Sequence, residues 1–132
     1  MMVTFDDKLF SMLTEQAKES PRLRMNYDLR SSADEESQRM LNAIEPGSVI
    51  PIHRHQRTNE VFVILRGKAR QILYADNGEE KESFILCPNS EMCGMSIPAG
   101  VWHTIESLES GTIVMECKAG KYEPLSPDDM LP

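Results

Sequence analysis

The sequence of 132 residues has no apolar run near the roughly 20 residues of a membrane helix, so no membrane span is expected. The opening stretch Met1-Met2-Val3-Thr4-Phe5-Asp6-Asp7 lacks a basic region followed by an apolar one and does not read as a secretory signal. There is no excess of positive charge. The formal net charge is −7, a sign that repels phosphate backbones and anionic lipid surfaces. Neither nucleic acid nor a membrane is therefore an expected partner. Cysteine is scarce as well: Cys87, Cys93 and Cys117 are odd in number and include no Cys-x-x-Cys. A small secreted domain more often carries an even disulfide set. The three read as reduced thiols, small buried side chains in a cytoplasmic protein. Internal repeats and low-complexity segments are lacking too.

What is present suits one domain with one core, residues 1–132. Residues 5–19 read as an amphipathic helix, with Phe5, Leu9, Met12, Leu13, Gln16 and Ala17 at helical spacing. Thr4 or Asp6 can cap its start, and Ser20-Pro21 ends it, because proline disfavours a helical residue before it. The helix is marginal alone, so its apolar face should pack on the domain or on a second chain. Residues 22–37 are polar and read as irregular. The apolar period then changes to two. Strands are expected at 38–44, 49–52, 60–65, 69–74, 83–86, 92–97, 102–107 and 112–118, with Asp76-Asn77-Gly78 as a hairpin turn. The tail, 123–132, holds three prolines and should be extended, on the surface or over a barrel mouth. About eight short strands over 38–118 predict an all-β fold, closed into a barrel or jelly roll to remove its edges.

All three histidines fall in one pattern. The first run is Gly47-x5-His53-x-His55-x4-Glu60-x6-Gly67, and the second is Pro98-x-Gly100-x2-His103. Alternate residues of a strand share a face, so His53 and His55 point together while Arg54 points away. Glu60 opens the next strand on the same side, and Trp102 and Thr104 point opposite to His103. Three imidazoles and one carboxylate suit a divalent transition metal: iron, manganese, nickel, copper or zinc. In octahedral geometry they leave two adjacent positions for water or a ligand, unlike a closed structural site. A His-x-His pair alone is as often a satisfied pair of ordinary histidines. Glu60, the two glycines and the second histidine run turn the balance towards a metal.

These two runs resemble the paired motifs of the cupin superfamily. The first matches at Gly47, His53, His55, Glu60 and Gly67, and the second at Pro98, Gly100 and His103. Met92 stands where a glycine is frequent, and Ser107 where an asparagine is. A narrower resemblance covers nearly the whole chain. Ser20-Pro21-Arg22-Leu23-Arg24, residues 38–47, His53-Arg54-His55 and Trp102-His103-Thr104 are similar to WbuC-type cupin-fold metalloproteins. Members of that family are bacterial, and some are encoded within O-antigen polysaccharide clusters. The ending Asp128-Asp129-Met130-Leu131-Pro132 departs from the family's aromatic-rich segment. The resemblance implies a double-stranded β-helix barrel after a short N-terminal helix, a bound metal, and pairing into a homodimer. It supplies no reaction.

Arg22, Arg24 and Arg30 stand out in an acidic chain. Arg22 and Arg24 share a face if extended and are candidates to hold a carboxylate or phosphate of a ligand. Surface ion pairs are the plainer use of any one of them. Three functions fit these residues. One is a metal-dependent enzyme, an oxygenase or sugar isomerase or epimerase, acting on a small sugar or organic acid in surface-polysaccharide metabolism. The others are a noncatalytic binding or sensing domain using the same pocket, and a structural protein whose metal only stabilises the barrel. No second general base is visible beside the ligands.

Overall fold

The computed structural model describes residues 2–131; Met1 and Pro132, the last residue of the expected tail, lie outside the described residues. One helix, α1 (Asp7–Glu19), precedes eight strands: β1 (Arg24–Asp28), β2 (Ser37–Ile44), β3 (Glu60–Arg66), β4 (Ala69–Tyr74), β5 (Glu80–Leu86), β6 (Gly94–Ile97), β7 (Trp102–Ser107) and β8 (Thr112–Ala119). They form two antiparallel sheets. The larger has the order β1-β2-β8-β3-β6 and the smaller β5-β4-β7. No helix among the described residues is long and apolar enough to cross a membrane.

The helix starts at Asp7 because the Asp6 carboxylate accepts the Leu9 amide at 2.9 Å and caps the first turn. Its buried face is Phe10, Leu13, Thr14 and Ala17, rotated from the expected one; Phe5 and Met12 are exposed. That face covers the outer side of the larger sheet. Leu41 and Ala43 of β2 and Ile113 of β8 join Phe10, Leu13 and Ala17 in one cluster, with Met25 and Tyr27 of β1 at its edge. Arg66 straps the helix down. Its guanidinium lies 5.6 Å from the Phe10 ring centre and donates to Thr14 Oγ1 at 3.0 Å.

Two expectations change. Residues 22–37 contain β1, which pairs with β2 from Arg24↔Ile44 to Asp28↔Met40. Its Met25 and Tyr27 meet the helix cluster, while Arg24 and Asn26 line a cavity on the other side. Period two was present, but polar residues on the cavity side hid it. Conversely, 49–52 is not a strand. Pro51 has no N–H to give a ladder, and Val49 is 82% exposed. Pairing begins just after this stretch, at His53, which forms isolated bridges with His103 and with Met130: its N–H donates to the His103 carbonyl at 3.0 Å and the His103 N–H returns at 2.8 Å.

Gly67 explains one motif position. It turns β3 into β4 with φ +87, and a Cβ would fall 2.3 Å from Thr112 Oγ1. The tail is tied down rather than merely extended. A 3-10 turn at Pro127–Asp129 lets the Arg54 N–H donate to the Asp129 carbonyl at 3.0 Å and the Leu131 N–H to the Ile52 carbonyl at 2.9 Å. The tail therefore lies across the segment that carries His53 and His55.

Behind the site the inner faces of the two sheets meet in an apolar cluster of Ile44, Phe62, Ile64, Ala69, Leu86, Ile97 and Val114. The histidines sit at one end of this core, where polar side chains replace apolar ones.

Candidate metal centre

The bridge fixes His53 against β7, where His103 stands second; His55 follows in the loop, and Glu60 is the first residue of β3. One ligand atom from each of the four lies within 4.8 Å of the others. The His53 and His103 ring centres are 4.3 Å apart, and those of His53 and His55 are 5.2 Å apart.

Backbone carbonyls set the rings. His53 Nδ1 donates to the Pro51 carbonyl at 2.8 Å and His103 Nδ1 to the Val101 carbonyl at 2.9 Å. This leaves both Nε2 lone pairs facing the cluster, the support that metal-bound imidazoles receive from groups behind them. Glu60 Oε2 lies 3.1 Å from His55 Nε2 and 3.2 Å from His103 Nε2. With Nδ1 already donating, a neutral His103 would set a nitrogen lone pair against a carboxylate oxygen. A cation between them, either a proton or a metal, resolves the clash. Neighbouring ligands about 2.1 Å from one ion sit about 3.0–3.4 Å apart, between octahedral and tetrahedral angles. The donor set therefore fits a transition metal in chemistry, and the two contacts of Glu60 fit it in spacing.

The electrostatics agree. Burial, reinforced by the neighbouring His103, lowers the His53 pKa to about 4, so the ring is neutral and its lone pair available. Burial works against the charge on Glu60, but hydrogen bonds from His103 and His55 outweigh it and hold the carboxyl well below its ordinary range. Glu116 is the reverse case. Burial, then the nearby Glu60, push it up to about 8, so Glu116 keeps the proton and Glu60 the charge.

The four residues open into a cavity of about 240 Å³ between the two sheets, lined also by Arg24, Asn42, Phe62, Gln71, Glu116 and Lys118. Asn42 Nδ2 donates to Glu116 Oε2 at 2.7 Å, and Lys118 Nζ is 3.4 Å from His55 Nε2. A second cavity of about 460 Å³ shares His55 and Lys118 and is lined also by Pro124, Ser126 and Asp129 of the tail.

The two candidate arginines part here. Arg24 lines the cavity, with Nη1 donating to the Val49 carbonyl at 2.8 Å; burial, then Arg22, lower its pKa. Arg22 is exposed and lines neither cavity. Arg30 is paired with Asp28 at 2.8 Å. Arg54 lies 4.3 Å over Trp102, on the side away from the histidines. All three cysteines are free thiols, but none is buried as expected: Cys93 is exposed, and Cys87 and Cys117 are half-buried.

Gln71, Asn42, Glu116 and Lys118 were not among the expected site residues. The signal for them is alternation. In β8, Glu116 and Lys118 occupy the phase that Val114 shows to be inward, and Lys118 stands opposite Glu60.

Solved structures resemble the fold. CapF from Staphylococcus aureus, a capsular polysaccharide assembling protein, superposes with a TM-score of 0.65 at 20% identity, over 85% of this chain and 32% of that one. The chain thus spans about a third of the CapF chain. TT1209 from Thermus thermophilus gives 0.65 at 19% identity, over 92% and 100% of the two chains. KdgF from Halomonas sp. gives 0.59 at 17% identity, over 78% and 84%. No curated protein matches the sequence. These neighbours are cupin-fold proteins, and the chain shares their fold. A family model described as a domain of unknown function (DUF6016) matches residues 5–86, and the chain belongs to that family.

Proposed function

We propose that this is a WbuC-type cupin metalloprotein whose His53, His55, Glu60 and His103 hold one divalent transition metal, and that it acts on a small sugar or organic acid in the adjoining cavity. One observation carries the reading: four ligand atoms converge within 4.8 Å, and two of the three imidazoles are fixed by backbone carbonyls with Nε2 facing inward. A metal here supplies Lewis-acid polarisation of a ligand oxygen and acidifies bound water.

The chain's own residues do the rest. Glu116 holds a proton beside the ligands, Lys118 places a cation next to His55, and Arg24 presents a guanidinium at the cavity wall. Glu116 supplies the proton-transfer group that the sequence did not reveal, and so favours catalysis over mere binding. The cavity beside the ligands likewise favours an open site over a purely structural metal. A role in surface-polysaccharide metabolism draws support from the capsular polysaccharide assembling protein among the fold's neighbours. We extend the proposal to a single cupin domain over 1–132 whose sheets close into a jelly-roll barrel. It would work in the cytoplasm as a homodimer on a small molecule, with no nucleic-acid or membrane partner.

The test is spectroscopic. Protein loaded with Co(II) should show visible ligand-field bands that shift when azide is added, because azide takes an open coordination position. Bands indifferent to azide would indicate a closed structural site and contradict the reading.

A further inference from the structure

Gln71 is 1% exposed, stands in the middle of β4 and lines the cavity, yet its amide nitrogen has no hydrogen-bond partner among the described residues. A buried amide left unpaired is destabilising, and an apolar side chain of similar size would avoid the cost. Its register places it on the metal side of the smaller sheet. Leu73 pairs with His103 and Gln71 with Ile105, so Gln71 lies one strand repeat, about 7 Å, further along the same face. The amide therefore sits deeper than the imidazoles, within reach of a molecule that fills the cavity.

The surroundings choose the ligand's chemistry. Gln71's register neighbours are Phe84 on β5 and Ile105 on β7, both apolar; the cavity's cations, Arg24 and Lys118, stand on the other sheet, where Arg24 Nη1 already donates to the Val49 carbonyl and Lys118 Nζ lies beside His55. An anion seated against Gln71 would be desolvated with no counter-charge on its own sheet, a cost that a neutral hydroxyl avoids. An amide offers one acceptor and two N–H donors, and a hydroxyl both donates and accepts. The cavity, at about 240 Å³, is smaller than the roughly 300–1,000 Å³ of drug-sized sites and admits only a small molecule.

We infer that Gln71 is a specificity-determining residue that hydrogen-bonds a hydroxyl at the inner end of a small neutral sugar or polyol, while other oxygens of that ligand face His53, His55, Glu60 and His103. This rests on the proposed metal site and narrows its ligand from sugar or organic acid to a polyhydroxylated molecule.

The experiment uses full-length zinc-loaded protein, with D-ribose, D-xylose and L-arabinose as probes and glutarate as a hydroxyl-free acid of similar size. Binding is read by ligand-observed NMR, and zinc content and melting temperature are recorded for each variant. At least one pentose should bind the wild type at least tenfold more tightly than glutarate. Gln71→Leu should weaken that pentose by at least tenfold, leave zinc content unchanged and raise the melting temperature by about 3 °C or more, because the unpaired amide is gone. Gln71→Met, closer in shape, should repeat the result if the leucine variant folds poorly. Absence of pentose binding to the wild type, glutarate binding as tightly as any pentose, or pentose affinity unchanged in both variants would overturn the inference. Zinc content reports separately on the metal site. If the wild type fails to retain zinc but still binds a pentose through Gln71, the metal reading falls and the Gln71 assignment stands.

Discussion

The two faces of the larger sheet solve opposite problems with the same strands. On the outer face β2 shows Leu41 and Ala43, and β8 shows Ile113, to Phe10, Leu13 and Ala17 of the helix. On the inner face the same β2 shows Asn42, and the same β8 shows Glu116 and Lys118, to a cavity. The outer face follows ordinary core chemistry, in which fully burying a leucine contributes about 1.5–3 kcal/mol. The inner face carries Glu60, charged and held by His55 and His103, and a protonated Glu116, and it looks across the cavity at an unpaired Gln71; the displaced Glu116 and the unpaired amide both lower stability. A sheet that stabilises the fold on one side and gathers destabilising groups on the other is arranged for something that binds on the destabilised side.

Substitutions that touch one face and spare the other break or sharpen this contrast. The largest effect belongs to the outer face. Leu41→Ala removes a side chain with no exposed surface and should cost about 2–5 kcal/mol in urea unfolding, with metal stoichiometry unchanged. Loss of metal along with stability would mean that the faces are coupled.

Next comes the inner face and its dependence on pH. The folded His53 pKa, about 4, lies below the ordinary 6.5, so the unfolded chain takes up the proton first. Its contribution is fully present above pH 6.5 and is lost as pH falls through 4. Glu116 slopes the other way, because its folded value, about 8, lies above the ordinary 4.5. The useful quantity is therefore the difference between metal-free wild type and His53→Gln, in which Glu116 largely cancels. Between pH 7 and 5 the wild type should lose about 2 kcal/mol relative to the variant. Parallel stability curves would remove the buried neutral imidazole from the account.

The smallest effect lies at the far end of the helix. Asp6→Ala removes the carboxylate that caps α1 and should cost about 1 kcal/mol in the same unfolding measurement, without altering the metal. A larger loss would mean that the helix start supports more than its own first turn.

The sequence made the four candidate ligands legible because strand alternation and two motif glycines leave traces in spacing. His53, His55, Glu60 and His103 converge, and β4 and β7 begin and end where the alternation does. It hid β1, because a strand with a polar cavity on one side shows only two apolar residues, Met25 and Tyr27, to a hydrophobicity reading. It suggested a strand at 49–52, where β-branched residues surround a proline that cannot join a ladder. The same cause hid Gln71, Asn42, Glu116 and Lys118. Each is one polar residue in a strand, and its meaning comes from which sheet face turns inward, a fact set by tertiary packing. Arg22 and Arg24 show the limit most plainly. Two residues apart and identical in type, they are separated by the edge of the cavity.

The central claim is that the inner face carries one metal on these four residues. It is tested most directly by elemental analysis of protein purified without a histidine tag, beside a His53→Ala/His103→Ala variant. The account predicts close to one divalent transition-metal ion per wild-type chain and essentially none in the variant. Equal metal content in the two, or none in wild type incubated with iron, manganese, nickel, copper and zinc in turn, would contradict it.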